Sequence, residues 1–297
     1  MERESQRGTG IIGSGLGWPR WGLWAWAVGV FGFLYLPILV LVIFSFNNSR
    51  FGGTWQGFTW DWYRVLFTGQ GAAFPETVGF GRYGLLPALV NSLLVAGVTA
   101  VVATVLGTAL ALGLERVRCP GRVGLEGLVL LPLVIPEIAQ GVSLLVFFHL
   151  VFRLWRAWTG QEWTLGLPTV TIGHITFAIS FVTLVVRARL VELNPCWEEA
   201  AMDLGANHWQ TLWHVTLPWL TPAMLSGALL AFTLSLDDFV VTFFTAGTGA
   251  TTLPVFVYGM IKFAVTPAIN AISTLMLLAS VVLVLLAWGL QRRGEQM

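Results

Sequence analysis

The sequence predicts an all-α polytopic membrane protein with six transmembrane helices, and three observations lead there. Hydrophobic residues make up 56% of the 297 and charged residues only 10%, whereas soluble domains are about 25% charged. Six apolar runs each reach the roughly 20 residues that a helix needs to cross a bilayer. The 16 basic residues divide unequally between alternate connections, as the positive-inside rule requires. A net charge of +1 with no basic run argues against a nucleic-acid-binding surface.

Residues 1–22 read as a polar, glycine-rich tail, 23–290 as the membrane domain and 291–297 as a second tail. The first span is expected over Leu23–Phe46. It is too long for a signal-peptide core and lacks a clear cleavage site, so it is read as retained. The connection from Asn47 to Gly84 is the longest. Its Trp55, Trp60, Trp62 and Tyr63 suit headgroup anchoring better than direct contact with a soluble partner. The second span is Leu85–Leu114, opened by the amides and hydroxyls of Asn91 and Ser92, which serve to cap helices or to bond between them.

The third span is expected over Gly127–Phe152. It contains Glu137 immediately after Pro136, with Pro132 four residues earlier and Gln140 and Gly141 on the same helical face. A carboxylate inside a membrane is costly and normally faces a polar interior. Two readings stay open for Glu137: a structural acid paired with a neighbouring helix, or a carboxylate on a cation pathway. The fourth span is Leu165–Val186. His174 within it reads as a packed, hydrogen-bonded residue rather than a proton relay.

Between the fourth and fifth spans runs NPCWEEAAMDLGANHWQTLWHVTLPWL. Asn194 suits a helix N-cap and Pro195 its first position. Trp197, Ala200, Ala201 and Leu204 fall on one face. Gly205 can end that helix in the left-handed conformation. Asn207 and Gln210 form a capping pair for a second helix, which Pro218 is expected to stop. The prediction is a compact helical hairpin over about 194–218.

The fifth span is expected over Trp219–Ala246 and carries Asp237 and Asp238 about 27 Å along it at 1.5 Å per residue. Neighbouring helix positions differ by about 100°, so the two carboxylates cannot share a direction. Two readings stay open: the pair marks the outer end of the helix, or one carboxylate faces a pore while the other meets a neighbouring helix. The stretch from Thr251 to Pro267 is too broken for a span and reads as lying along the outer surface. The sixth span is Ile269–Leu290.

With the N-terminus inside, Arg3, Arg7, Arg20, Arg116, Arg118, Arg122, Arg187, Arg189, Arg292 and Arg293 are cytosolic. Arg50, Arg64, Arg82, Arg153, Arg156 and Lys262 are outside. This distribution favours both termini in the cytosol. Cys119 and Cys196 then lie in cytosolic connections, as reduced thiols and not as metal ligands.

Glu199-Ala200-Ala201, then Gly205, then Val215-x-Leu217-Pro218 resembles the EAA loop of the permease subunits of bacterial ATP-binding-cassette importers. SLDDFVVTFFTAG, LPLVIPEI and TPAINAISTLMLL narrow the resemblance to the spermidine/putrescine permeases, and to the second of the two unlike permeases. The likeness covers about Leu23 to Leu290; the N-terminal extension is unmatched.

The resemblance implies an inner-membrane subunit that is not an enzyme. It implies as partners two copies of an ATP-binding subunit, a second and different permease, and an extracytoplasmic substrate-binding protein in a lipid bilayer. ATP and magnesium would sit on the ATPase, with no cofactor on this chain, which lacks the G-x-x-x-x-G-K-[ST] phosphate loop. Glu199, Ala200, Ala201, Gly205, Leu217 and Pro218 would couple to the ATPase. Asp237, Asp238 and Glu137 would lie along the path of the cationic cargo.

Other cargoes for the same architecture are an opine-like cation, sulfate, molybdate or iron. An anion would call for arginine or helix N-termini in place of these acids. An ion-coupled transporter would show paired repeats with broken helices, and a membrane enzyme a catalytic cluster such as H-E-x-x-H; neither is seen in the sequence.

Overall fold

The computed structural model describes residues 20–49, 53–68, 85–116, 121–261 and 267–295, and among them the chain is helical, with one isolated bridge between Asn47 and Phe58. The helices are α1 (Arg20–Phe44), α2 (Asp61–Thr68), α3 (Leu85–Arg116), α4 (Arg122–Val134), α5 (Glu137–Thr159), α6 (Leu167–Val191), α7 (Pro195–Asp203), α8 (His208–Thr211), α9 (Leu217–Asp237), α10 (Val240–Thr245), α11 (Leu253–Ile261) and α12 (Pro267–Glu295). Among the described residues five stretches are long and apolar enough to cross a membrane: Trp21–Phe44, Pro87–Arg116, Glu137–Thr159, Leu167–Val191 and His208–Asp237. Helix α12 adds a sixth long helix of 29 residues, whose apolar part is Pro267–Val282.

The centre of the bundle is the packing of α3, α6 and α9. Small residues let these backbones approach closely. Val182 of α6, fully buried, sits between Gly107 of α3 and Gly227 of α9. A Cβ built on Gly107 would stand 2.9 Å from the Val182 side chain, and one on Gly227 would stand 3.2 Å from it. Ala103, Ala111, Ala178 and Ala231 extend this seam. By contrast α1 buries none of its apolar length within the chain and touches mainly α12.

Two expected spans are interrupted. The third is not one helix over Gly127–Phe152: it divides into α4 and α5, because Ile135 and Pro136 are extended, with ψ of 132° and 134°. Proline has no N–H to donate and biases its predecessor away from helix. The fifth is not one helix over Trp219–Ala246 either. It ends at Asp237, Asp238 is extended with ψ 125°, and α10 follows.

Pro218 does not stop the second hairpin helix. From α8 the chain widens through a π-turn at Leu212–Thr216 and enters α9, with Pro218 in the first turn of α9. The Leu217 N–H bonds back to Leu212 O, five residues earlier, which shifts the ladder where proline removes a donor. The hairpin's second arm is therefore the start of the fifth span. The outer helices also overrun the expected tails: α1 begins at Arg20 and α12 continues to Glu295.

The end of the bundle opposite the hairpin is closed by short elements. Asn47, fully buried, donates through Nδ2 to Thr54 O at 2.8 Å and accepts Gln56 N–H at 2.8 Å. Trp62 Nε1 donates to Asn47 O at 2.8 Å. Trp62 is thus a packed pin, not a headgroup anchor, while Trp55 and Trp60 are exposed. It packs with Leu66 against Leu253, Ala268 and Ile272, so the Thr251–Pro267 stretch contributes a short helix, α11, set against α3 and α12. Asn91 and Ser92 bond between elements and do not cap: Asn91 Nδ2 donates to Gly249 O and Thr251 O, and Ser92 Oγ accepts Leu253 N–H. Cys119, Lys262, Arg50, Arg82 and Arg118 lie outside the described residues, as does the N-terminal tail to residue 19.

Gly107→Val should destabilise the bundle by about 1–3 kcal/mol through overpacking, and adding Val182→Ala should restore part of it. Thermal unfolding in detergent reads both; an unchanged melt for Gly107→Val would contradict the close seam.

Candidate functional site

Two regions concentrate the residues singled out from sequence. The first is the hairpin. The Asn194 side chain accepts Cys196 N–H at 3.1 Å and so caps α7. Gly205 has φ +95°, the left-handed turn at which glycine carries no Cβ penalty. Its N–H bonds to Met202 O at 2.9 Å, and Ala206 N–H bonds to Ala201 O at 3.0 Å. Asn207 and Gln210 cap reciprocally at 2.8 and 2.9 Å. The elbow between α7 and α8 is as the spacing predicts.

Glu199, Ala200 and Gly205 are exposed, and Ala201 is partly covered. Around them Leu204 is 91% exposed and Trp209 66%. These apolar side chains are uncovered within this chain. Leu217 and Pro218 lie away from this tip, at the start of α9.

Sequence reasoning missed the residue that anchors the hairpin. Glu198, next to Glu199, turns inward. Arg116 at the end of α3 donates to its carboxylate and, at 3.0 Å, to Thr216 Oγ1. The Thr216 hydroxyl donates to Glu198 in turn. Trp197 meets Trp219 edge to face at 5.0 Å, and the Arg189 guanidinium lies 3.8 Å over the Trp219 ring, a cation–π contact. Beside this tie is a four-member ion-pair network joining α3, α4 and α6. Arg187 donates to Glu115 at 2.5 Å and to Glu126 at 3.0 Å. Arg122 donates to Glu126 at 2.9 Å and reaches Glu115 at 3.4 Å. The only sequence signal for these pairs is that their members fall at the ends of apolar runs.

The second region is a cavity of about 370 Å³ at the two helix breaks, and it brings Glu137, Asp237 and Asp238 together. Pro132, Leu133 and Ile135 at the first break and Thr233, Leu234 and Phe239 at the second line it, with Gln140, Phe177 and Phe181. Interrupted helices at membrane depth are tolerated where protein or water meets the freed backbone groups. Each break sets the C-terminal end of one helix (α4, α9) beside the N-terminal start of the next (α5, α10), whose partial charges are opposite, so it is the three carboxylates that give this space its cation-attracting character.

The two aspartates point different ways. Asp237 accepts from Ser280 of α12 at 3.4 Å. Asp238 turns to α6, where His174 Nε2 lies 3.0 Å away, and it accepts Thr242 N–H at 2.9 Å. His174 is fully buried, with Ser235 Oγ 2.6 Å from its Nδ1 and Thr242 Oγ1 2.9 Å from its Nε2. The histidine is thus a packed, hydrogen-bonded residue, as its setting in the sequence suggests.

Comparison with known proteins gives a consistent picture. The family described as "Binding-protein-dependent transport system inner membrane component" matches residues 103–295, a stretch that contains both regions. The putrescine transport system permease protein PotI of Escherichia coli (strain K12) is 40% identical over 267 residues, covering 90% of this chain and 89% of PotI. The spermidine/putrescine transport system permease protein PotC of Haemophilus influenzae is 35% identical, covering 90% of this chain and 95% of PotC. Among solved structures, a bacterial alginate importer in complex with its pentasaccharide-bound periplasmic protein superposes with a TM-score of 0.70. It is 21% identical and covers 92% of this chain and 94% of its own; at that identity the likeness concerns the fold.

Arg187→Met should leave Glu115 and Glu126 to share Arg122 alone, lowering stability by about 1 kcal/mol. Adding Glu115→Leu should recover part of the loss. Melting temperatures of the two variants check this, and equal values for wild type and Arg187→Met would count against the network.

Proposed function

Because this chain belongs to the family of binding-protein-dependent transport system inner membrane components, we propose that it forms half of the translocation pathway of a bacterial ATP-binding-cassette importer for putrescine and spermidine. The observation that carries the cargo class is the meeting of Glu137, Asp237 and Asp238 in one cavity. A polyamine is a flexible chain of ammonium groups, and carboxylates offset its charge as water is removed. Sulfate or molybdate would meet the wrong sign there. The names of the relatives PotI and PotC point to the same cargo.

In this reading the partners are two copies of an ATP-binding subunit, a second and unlike permease, and an extracytoplasmic binding protein. ATP and magnesium belong to the ATPase, and this chain binds no cofactor. Both termini and the hairpin face the cytosol; the opposite end, with α2 and α11, faces the binding protein.

The mechanism follows from the ties already described. ATP draws the two nucleotide-binding subunits together and displaces the hairpin seated on them. The exposed tip at Leu204, Gly205 and Trp209 makes the contact, with Glu199 as the docking acid. The hairpin moves as a rigid body, since α7 is fastened to α3 through Glu198 and Arg116 and its partner arm is continuous with α9. Because α3, α6 and α9 share one seam, the displacement tilts them together and changes which side of the membrane the cavity meets. Hydrolysis reverses the step.

Uptake of labelled putrescine and spermidine by the reconstituted assembly tests the reading; ATP-driven uptake of an anion with none of either polyamine would sink it. Gly205→Asp places a side chain at φ +95° on the docking tip. It should reduce uptake at least about tenfold, a cost of roughly 1.4 kcal/mol in coupling, with the chain still inserted and folded. Glu199→Lys should act in the same direction, and full uptake with normal ATPase association in both would remove the docking role.

A further inference from the structure

Gln140 carries a polar group that the fold leaves unpaired. It is 9% exposed, its Nε2 has no hydrogen-bond partner among the described residues, and it lines the cavity shared by Glu137 and Asp237. Nε2 is sealed from solvent, whereas Oε1 is not sealed and takes no hydrogen bond among the described residues, so the carbonyl oxygen is the end of the amide left to the cavity. Gln140 also lies one helical turn beyond Glu137 on α5, so both reach the cavity from one face.

The three acids are not equivalent. Asp238 is the most heavily engaged: its Oδ2 meets His174 Nε2 at 3.0 Å, Thr242 N–H at 2.9 Å and Thr242 Oγ1 at 3.2 Å, and its Oδ1 accepts Val241 N–H at 3.4 Å. Each carboxylate oxygen offers about two acceptor positions, so Oδ2 is filled by contacts that fix α10 to α6. Asp237 has one long bond, from Ser280 at 3.4 Å. Glu137 lines the cavity with no hydrogen bond or ion pair among the described residues.

We propose that a primary ammonium group of the cargo is held by three oxygen ligands, from Glu137, Asp237 and the Gln140 amide, and that Asp238 is withheld from the cargo as a latch on the helix break. The proposal rests on the polyamine reading and assigns its ligands. An ammonium has three N–H donors and no acceptor, so two carboxylates and one amide oxygen match it. The rings of Phe177 and Phe181 on the same wall suit the methylene chain that follows.

The test uses the complete assembly, with the second permease, ATPase and binding protein, in proteoliposomes. Labelled putrescine carried and ATP hydrolysed are measured together. Gln140→Leu removes one hydrogen bond to a charged group and should lower putrescine carried per ATP about tenfold, with binding-protein-stimulated hydrolysis retained. Gln140→Glu, which restores an oxygen ligand, should keep the wild-type ratio. Gln140→Met, of similar length, is run beside Gln140→Leu. Asp238→Asn should instead lower the melting temperature and reduce uptake and hydrolysis together, leaving their ratio unchanged.

A wild-type ratio in either Gln140→Leu or Gln140→Met overturns the ligand assignment, as does a selective loss of the ratio in Asp238→Asn. If the wild-type assembly carries neither putrescine nor spermidine, the polyamine reading fails and this assignment fails with it. Active wild type with unaffected Gln140 variants defeats the assignment alone.

Discussion

In a chain that is 56% hydrophobic, a backbone N–H or C=O freed from its helix costs several kcal/mol unless something else meets it. That constraint organises this molecule. Helices α4 and α9 both stop partway, and polar side chains gather where they stop. Asp238 takes the first N–H groups of α10. Glu137 stands in the first turn of α5, where a carboxylate is favoured by the helix dipole. Asp238, which meets freed N–H groups at the second break, is also one of the three acids that give the cavity its charge.

The close packing of the bundle depends on a different device. Val182 fits between two glycines on neighbouring helices, which leaves α3, α6 and α9 little room to slide independently. At the hairpin end, Arg116 and Arg187 each satisfy acids from other elements. Arginine suits this because its planar fork serves two acceptors at once. The exposed elbow is therefore tied into a connected body.

The hairpin was the most legible part of the site. Caps and elbows depend on residues within a turn of one another, so Asn194, Gly205, Asn207 and Gln210 announce their geometry locally. Pro218 was misleading because its usual effect presumes an α-helical ladder; the π-turn before it changes the register. Apolar length predicts a continuous third span despite Pro132 and Pro136, because a hydropathy argument does not register a missing N–H. Glu198 and Glu199 were indistinguishable by composition. Which one turns inward is fixed by Arg116, 82 residues away.

Composition and period alone determined that this chain is a helical membrane protein, that its acids are few and confined, and that an elbow separates two of its crossings. Those are properties of transfer free energy and local backbone preference, which act over one helix at a time. Tertiary structure decided that Glu137, Asp237 and Asp238 share a cavity, that Asp238 also meets His174, and that Gln140 Nε2 is left without a partner among the described residues. These facts depend on how α5, α6, α9 and α12 are placed against one another, and close packing across the seam fixes that placement only once all of them are folded.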